Sequence, residues 1–356
     1  MRQPGFLSQL RGDLEKVPAD MRSAINRPGG LHEDDLRRML ALPSDDRVLA
    51  PSPPEDHAVG CYHDDVDRYT TAGTQAINAG QVAYCILAGG DDTRMGEPKA
   101  LARIPELDMS LLTLKLFQAV GCGPVWVMVS PSSKSLVEDH LASIVGIDAS
   151  RVFLFEQFQS YRLSPDNRLL LDATGTPEVY PCGSGDFFPA LVKSNLLPGF
   201  IAGGGKYLAV VGVDNVFASL EPAVIGHHIE NASNVTCEVV RRKKEETGGV
   251  LVEAADGLQI AEMNRLDVND LASYTWLSTN SYVMNVDLEY PKLGVNWYRT
   301  MKNAGGKAVV QYERFLHEVT AAYNSSFLGV SRTERYMPVA TPDDLMFIRN
   351  IVNIDV

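Results

Sequence analysis

Apolar positions change their spacing along the chain, and the change divides it. Over residues 1 to about 80 they recur three and four apart in FLSQLRGDLEKV and HEDDLRRMLAL, the period of an amphipathic helix. LPSDDRVLAPSPPEDH, residues 42–57, is a proline-rich connector that cannot continue a helix. This part predicts a helical N-terminal extension and linker over 1–80. From residue 81 short continuous apolar runs alternate with helical spacing. VAYCILA, PVWVMVS, RVFLF and YLAVVGVD predict buried strands; SLLTLKLFQAVG, ending at Gly121, and SKSLVEDHLASI predict the helices between them. Such alternation predicts an α/β domain with a mainly parallel sheet and helices on both faces. After about residue 235 the strands crowd together in NVTCEVV, GGVLVEA, LQIAEM and SYVMNV, which predicts an inserted, more antiparallel region. AVVQYERFLHEVT and a helix in TPDDLMFIRNIVN close the chain.

Composition narrows the partners. The chain has 356 residues, 45% of them hydrophobic, and a formal net charge of -13. An acidic surface repels nucleic acid and anionic membranes, so neither is expected as a partner. The five cysteines are scattered without CxxC pairing, the usage of reduced thiols in a cytoplasmic protein. No apolar run approaches the ~20 residues of a membrane span.

In open α/β sheets ligands bind beyond the carboxyl ends of the strands. The first such edge carries LAGGDDTRMGEPKA, residues 87–100. A glycine-rich turn after a buried strand presents backbone N–H groups to phosphate oxygens; Arg94 offers a fork and Lys99 a mobile point charge. The loop is neither a Walker A motif nor GxGxxG, and read alone a plain surface turn competes with the phosphate reading. Asp91 and Asp92 count against a bare polyphosphate there. Asp214–Asn215, after YLAVVGV, sits at the same kind of edge, so both loops are expected to face one crevice.

The order of the motifs resembles the UDP-glucose pyrophosphorylase family, whose corresponding loop reads L-x-G-G-x-G-T-R-x-G…P-K. This chain has Leu87, Gly89, Gly90, Thr93, Arg94, Gly96, Pro98 and Lys99. FEQ at 155–157, YPCGSGDFFPAL, GVDN at 212–215, TGGVL, AEMNR, STNSYVMN, VVQYE and RTERYMPVATPDDL resemble further family segments in the family's order. The resemblance runs from about 82 to 350. It implies a Rossmann-like, GT-A-like nucleotidyltransferase with a mixed sheet, in a catalytic domain over 81–356. The nucleotide half would span about 81–235 and the acceptor half about 236–356. The chain stops soon after the last segment, so the C-terminal β-helix of many relatives is expected to be absent, and a monomer or small homo-oligomer is expected.

The implied reaction joins an NTP, UTP or GTP, to a sugar 1-phosphate or cyclitol 1-phosphate and releases pyrophosphate, with Mg2+ as cofactor. By the resemblance Arg94 and Lys99 are catalytic. Leu87, Ala88, Gly89, Gly90, Gln157, Gly183 and Asp214 bind the nucleotide, and Asp214 also holds the metal. Ser184, Gly249, Glu262 and Asn280 face the acceptor. Asp92 falls where the family has glycine; it either faces away or meets the phosphates through Mg2+. Five positions depart from the family: Ser184 for His, Gly212 for Asn, Thr247 for Lys, Ser278 for Asn and Ala340 for Lys. Lost hydrogen-bonding groups suit a changed acceptor, such as the cyclitol phosphate of an aminocyclitol antibiotic pathway. The ordinary uridylyltransferase and a non-catalytic nucleotide binder are the competing readings. RRKKEE, 241–246, reads first as a solvated strand end; its alternative role is to supply the phosphate charge missing at Thr247 and Ala340.

Overall fold

Along Val82–Leu87 alternate side chains part to opposite faces: Val82, Tyr84 and Ile86 enter one core, Ala83, Cys85 and Leu87 the other. Val125–Val129 divides in the same way, with Trp126 and Met128 on the second face. A strand buried on both faces needs cover on both, which explains its continuous apolar run. The architecture comes from a computed structural model that describes residues 51–90, 96–119, 121, 123–267, 269–288 and 297–348.

The first strands are β1 (Gly60–Cys61), β2 (Val82–Leu87), β3 (Arg103–Ile104), β4 (Met109–Ser110), β5 (Val125–Val129), β6 (Val152–Glu156), β7 (Gln159–Tyr161) and β8 (Val179–Pro181). They are followed by β9 (Tyr207–Gly212), β10 (Val235–Arg241), β11 (Gly249–Ala254), β12 (Gly257–Glu262), β13 (Trp276–Asn285), β14 (Tyr298–Ala304), β15 (Lys307–Glu313) and β16 (Ser325–Gly329). The main sheet runs β1-β16-β10-β13-β9-β2-β5-β6. β13 is antiparallel to both its neighbours, β9 and β10, while the other pairs along this path are parallel. Helices α1 (Val66–Asn78), α2 (Leu111–Phe117) and α3 (Lys134–Ser143) cover the first face, and α4 (Phe187–Ser194) and α5 (Leu196–Ala202) the second. α6 (Pro222–Glu230) lies on the first face beside α1. The mixed sheet with helices on both faces is therefore as expected.

Two differences have physical causes. The strands after residue 235 are not a separate insertion. β10, β13 and β16 complete the main sheet, and after residue 235 the antiparallel pairs are those of β13, the hairpin β11–β12 and the ribbon β14–β15. β10 is buried along all but its last residue, so it belongs inside a covered sheet. The closest approach of α1 is made by small residues, which give little apolar spacing, with Tyr69 and Ile77 packing beside them. Gly73 lies against the Pro222 backbone, and Gly226 of α6 lies against the Tyr69 backbone, with no room for a Cβ at either. Residues 51–80 thus lie on the main sheet, α1 on α6 and β1 beside β16. Among the described residues no helix is long and apolar enough to cross a membrane.

Candidate active site

The chain runs outward from β2 through β5 to β6, then returns to the other side of β2 as β9. The reversal leaves a crevice beyond the carboxyl ends of β2 and β9, the place where open α/β sheets bind ligands. The register pairs Leu87 with Gly212, so the two loops start level. A cleft of about 590 Å³ opens there, and both loops line it.

One side is largely main chain. Gly89 is buried against Gln157, whose Nε2 donates to the Gly89 carbonyl, and a Cβ at Gly89 would occupy the glutamine's amide. Gly90 has open space around it, so only Gly89 is required by close approach. Gln157 is 2% exposed, and its own N–H donates to the Val129 carbonyl at 2.9 Å. The opposite lip is the turn at Gly183, where φ is +100° and a Cβ would stand 2.5 Å from the Arg314 carbonyl oxygen. Ser184 also lines the cleft; its Oγ accepts the Leu316 N–H at 3.1 Å.

The floor carries a charge pair. Lys99 follows Pro98 in a single turn of 3₁₀ helix and points its ammonium at Asp214 Oδ2, 3.2 Å away. The segment after Asp214 is clamped from several sides. Lys115, wholly buried on α2, donates to the carbonyls of Ala218 at 2.8 Å and Val216 at 3.3 Å. Burial holds its amine well below the usual lysine range. Asn215 donates to the Arg335 carbonyl at 3.0 Å and accepts the Met337 N–H at 2.9 Å. Arg335 grips Glu238 with two bonds, of 2.7 and 2.9 Å, and both side chains are 4% exposed. A Cβ at Gly212 would lie 2.6 Å from Asp214 Oδ1, the end of a partly exposed side chain that has room to move.

The far side comes from hairpins. The ribbon β14–β15 lends Lys302, Gln311 and Glu313 to the cleft, and Lys302 Nζ lies 3.2 Å from Glu313 Oε1. Near them Glu262 lies 3.7 Å from His317 Nδ1. Burial, reinforced by the Glu313 carboxylate, pushes the Glu262 carboxyl up to about 7. Burial pushes His317 down to about 3, with the Arg265 cation adding to it. The two therefore meet as neutral groups over much of the acidic range, and their contact is not an ion pair there. Gly249 sits at the start of β11, where a Cβ would meet Ile260 Cγ2 at 2.6 Å.

The crevice brings together Leu87, Ala88, Gly89, Gly90, Lys99, Gln157, Gly183, Ser184, Asp214 and Asn280, residues read from separate segments of the sequence. Gly249 and Glu262 lie outside its lining. Arg94, Asp91 and Asp92 fall outside the described residues. Of the five departures from the family pattern, only Ser184 and Gly212 line the cleft; Thr247 and Ala340 are exposed elsewhere. No residue of the basic block lines the cleft: Arg241 pairs with Asp56 at 2.8 Å and stacks 3.9 Å over the Trp276 ring, and Arg242 bonds the Tyr274 and Leu271 carbonyls. Sequence reasoning missed Arg162 and Lys302, and the VVQYE segment brings Gln311 and Glu313 into the cleft. Lys302 and Arg162 carry no local signature, because only the fold turns β14 and the segment after β7 toward the crevice.

Among the described residues no group of three or more His, Cys, Asp or Glu side chains is placed to hold a metal. Asp214 is a single carboxylate, 40% exposed at its side chain, at the cleft floor. That suits Mg2+, which takes one or two carboxylates and completes its shell with waters and substrate phosphates.

The sequence profile of the UTP–glucose-1-phosphate uridylyltransferase family matches residues 50–353, and the chain belongs to that family. A UDP-N-acetylglucosamine diphosphorylase 1 of Arabidopsis thaliana is 25% identical over 230 residues, covering 57% of this chain and 46% of the relative. A UTP–glucose-1-phosphate uridylyltransferase of Saccharomyces cerevisiae is 24% identical and covers 96% of this chain and 75% of its own length. Against the N-acetylglucosamine diphosphorylases of Arabidopsis the chain spans under half of their length. The crystal structure of a UDP-glucose phosphorylase from Trypanosoma brucei superposes with a TM-score of 0.74 at 20% identity, over 95% of this chain and 78% of that one. That likeness shows the nucleotidyltransferase fold.

Proposed function

We propose that this member of the UTP–glucose-1-phosphate uridylyltransferase family condenses UTP with a sugar 1-phosphate to give a UDP-sugar and pyrophosphate. The observation that carries the reading is the meeting, in one crevice, of the Gly89–Gln157 contact with the Lys99–Asp214 pair. An oxygen of the acceptor phosphate attacks the α-phosphorus of UTP in line. The bond from that phosphorus to the bridging oxygen breaks, and pyrophosphate leaves with the electron pair. No covalent bond to the protein is needed, so catalysis is positioning and charge neutralisation. Buried main chain and the Gln157 amide hold the base, whose edge exchanges hydrogen bonds with the amide. Lys99 neutralises phosphate charge, and Arg94 is assigned the same task by the family pattern. Mg2+, bound through Asp214, would offset the charge on the phosphate oxygens. The ribbon residues Lys302 and Glu313 face the acceptor side, and Glu262, outside the lining, has its carboxyl pushed up to about 7 by burial.

The acceptor is a sugar 1-phosphate such as those behind the UDP-glucose and UDP-N-acetylglucosamine of the relatives' names. GTP as donor and a cyclitol 1-phosphate as acceptor form the finer alternative, motivated by Ser184 and Gly212 in the cleft. Pyrophosphate release is measured with UTP and GTP separately, across glucose, N-acetylglucosamine and cyclitol 1-phosphates, with and without Mg2+. Release with UTP and a sugar 1-phosphate supports the proposal; no release from any combination sinks it.

A further inference from the structure

Three segments that line the cleft meet at one buried carboxylate. Asp186 is 0% exposed. Its Oδ2 accepts the Phe158 N–H at 2.9 Å, one residue beyond Gln157. Its Oδ1 pairs with Arg314, one residue beyond Glu313, and Arg314 is itself 4% exposed. Asp186 belongs to the turn that carries Gly183. The main chain repeats the tie: Arg314 N–H donates to the Cys182 carbonyl at 2.8 Å, and Gly185 N–H to the Arg314 carbonyl at 3.0 Å. Gly183 and Gly185 leave room for this approach, since a Cβ would stand 2.5 Å from Arg314 O at the first and 2.6 Å from Arg314 Cβ at the second. The guanidinium is pinned further, 4.2 Å above the Trp297 ring.

We propose that Asp186 and Arg314 are positioning residues that lock the Gln157 segment, the Gly183 turn and the end of β15 into one register, and so set the fit of the uracil base. Neither side chain lines the cleft; they act through Gln157 and Gly183. A buried charge left without its partner destabilises a fold, whereas replacing both members of a pair need not. A misplacement of about 1 Å in a binding group is enough to cost function on the order of 10²-fold. The inference rests on the nucleotide reading above, but its readout is binding, not turnover.

The paired variant Asp186→Asn/Arg314→Met removes both charges and keeps an acceptor for the Phe158 N–H. Calorimetry measures the Kd of UTP for it, for the full-length wild type and for Val137→Ala, a core variant on α3 outside the cleft. The expected result is a cooperative thermal transition in the paired variant with UTP bound about 10-fold more weakly or worse, and an unchanged Kd in Val137→Ala. An unchanged Kd in the folded paired variant overturns the proposal, as does an equal loss in Val137→Ala. Should the paired variant not fold, Arg314→Lys decides: it keeps the buried charge but loses the planar fork. Weaker UTP binding in it supports the proposal, and wild-type binding overturns it. A wild type that binds UTP yet releases no pyrophosphate would remove the catalytic reading and leave this comparison of Kd values intact.

Discussion

The two sides of the cleft are built from different materials. On the β2–β9 side, strand ends in a parallel sheet present glycines, backbone and one ion pair, and the supporting charges are buried and fully bonded. On the hairpin side, the ribbon β14–β15 presents side chains, among them a lysine–glutamate pair, and outside the lining Glu262, the last residue of β12, meets His317 as a raised carboxyl against a depressed imidazole. In the proposed reaction phosphates and a planar base are common to every turnover, and the main-chain side is assigned to them. The acceptor is the variable partner in that reading, and side chains on short hairpins change without disturbing the sheet. On that reading the comparison teaches that the common and the variable parts of the substrates fall to different kinds of element.

The largest expected effect tests the rigid side. Arg335→Met leaves Glu238 buried without its partner and unfastens the Asp214 segment. Such a loss costs about 3–5 kcal/mol of stability, read by chemical denaturation. A loss below 1 kcal/mol would mean that the clamp is not what holds this side. Next, Lys99→Ala should lower kcat by about 10²–10³, some 3–4 kcal/mol in the barrier, while UTP binding by calorimetry falls far less. Equal losses in both would make Lys99 a binding group only.

The third prediction concerns the titratable side. In the unfolded chain Glu262 ionises near 4.5 and His317 near 6.5; in the folded protein they ionise near about 7 and about 3. Between pH 4.5 and 6.5 the unfolded pair is carboxylate and imidazolium, and the folded pair is carboxylic acid and imidazole. Each state holds one proton, so the pair contributes no slope in that window. Glu262→Gln uncovers His317 alone, whose folded pKa is depressed. Its stabilisation is present above 6.5 and is lost as pH falls toward about 3, with a slope near ~1.4 kcal/mol per pH unit. His317→Asn uncovers Glu262, whose raised pKa makes stability fall as pH rises from 4.5 through about 7. Parallel stability curves for wild type and Glu262→Gln, measured by denaturant titration from pH 4 to 8, would refute the neutral pairing.

The smallest effect is expected at the basic block. Arg241→Ala, on an exposed strand end, should leave kcat and both KM values unchanged, because Arg241 holds Asp56 and covers Trp276. A raised acceptor KM would return the block to the site.

Much of the first side was legible because backbone tasks leave marks in sequence. A buried strand followed by glycines, or by Asp214–Asn215, can be read wherever it occurs, and Gly89 and Gly183 proved to sit where a Cβ has no room. The second side was less legible. Lys302, on a half-exposed strand, and Arg162, just beyond β7, are ordinary residues, and α1 makes its closest contact through Gly73 and Ala76, which leave little apolar pattern.

Periodicity and residue type by themselves determined the alternating α/β core, the loops at its strand ends and the glycines those loops require, since these depend on local geometry and on burial of apolar surface. Tertiary structure alone decided that Phe158, Asp186 and Arg314 meet, that Glu262 and His317 share a neutral contact, and that Arg241 turns away from the cleft. Such contacts join residues tens of positions apart, and the free energy of a buried charge depends on what the fold sets beside it.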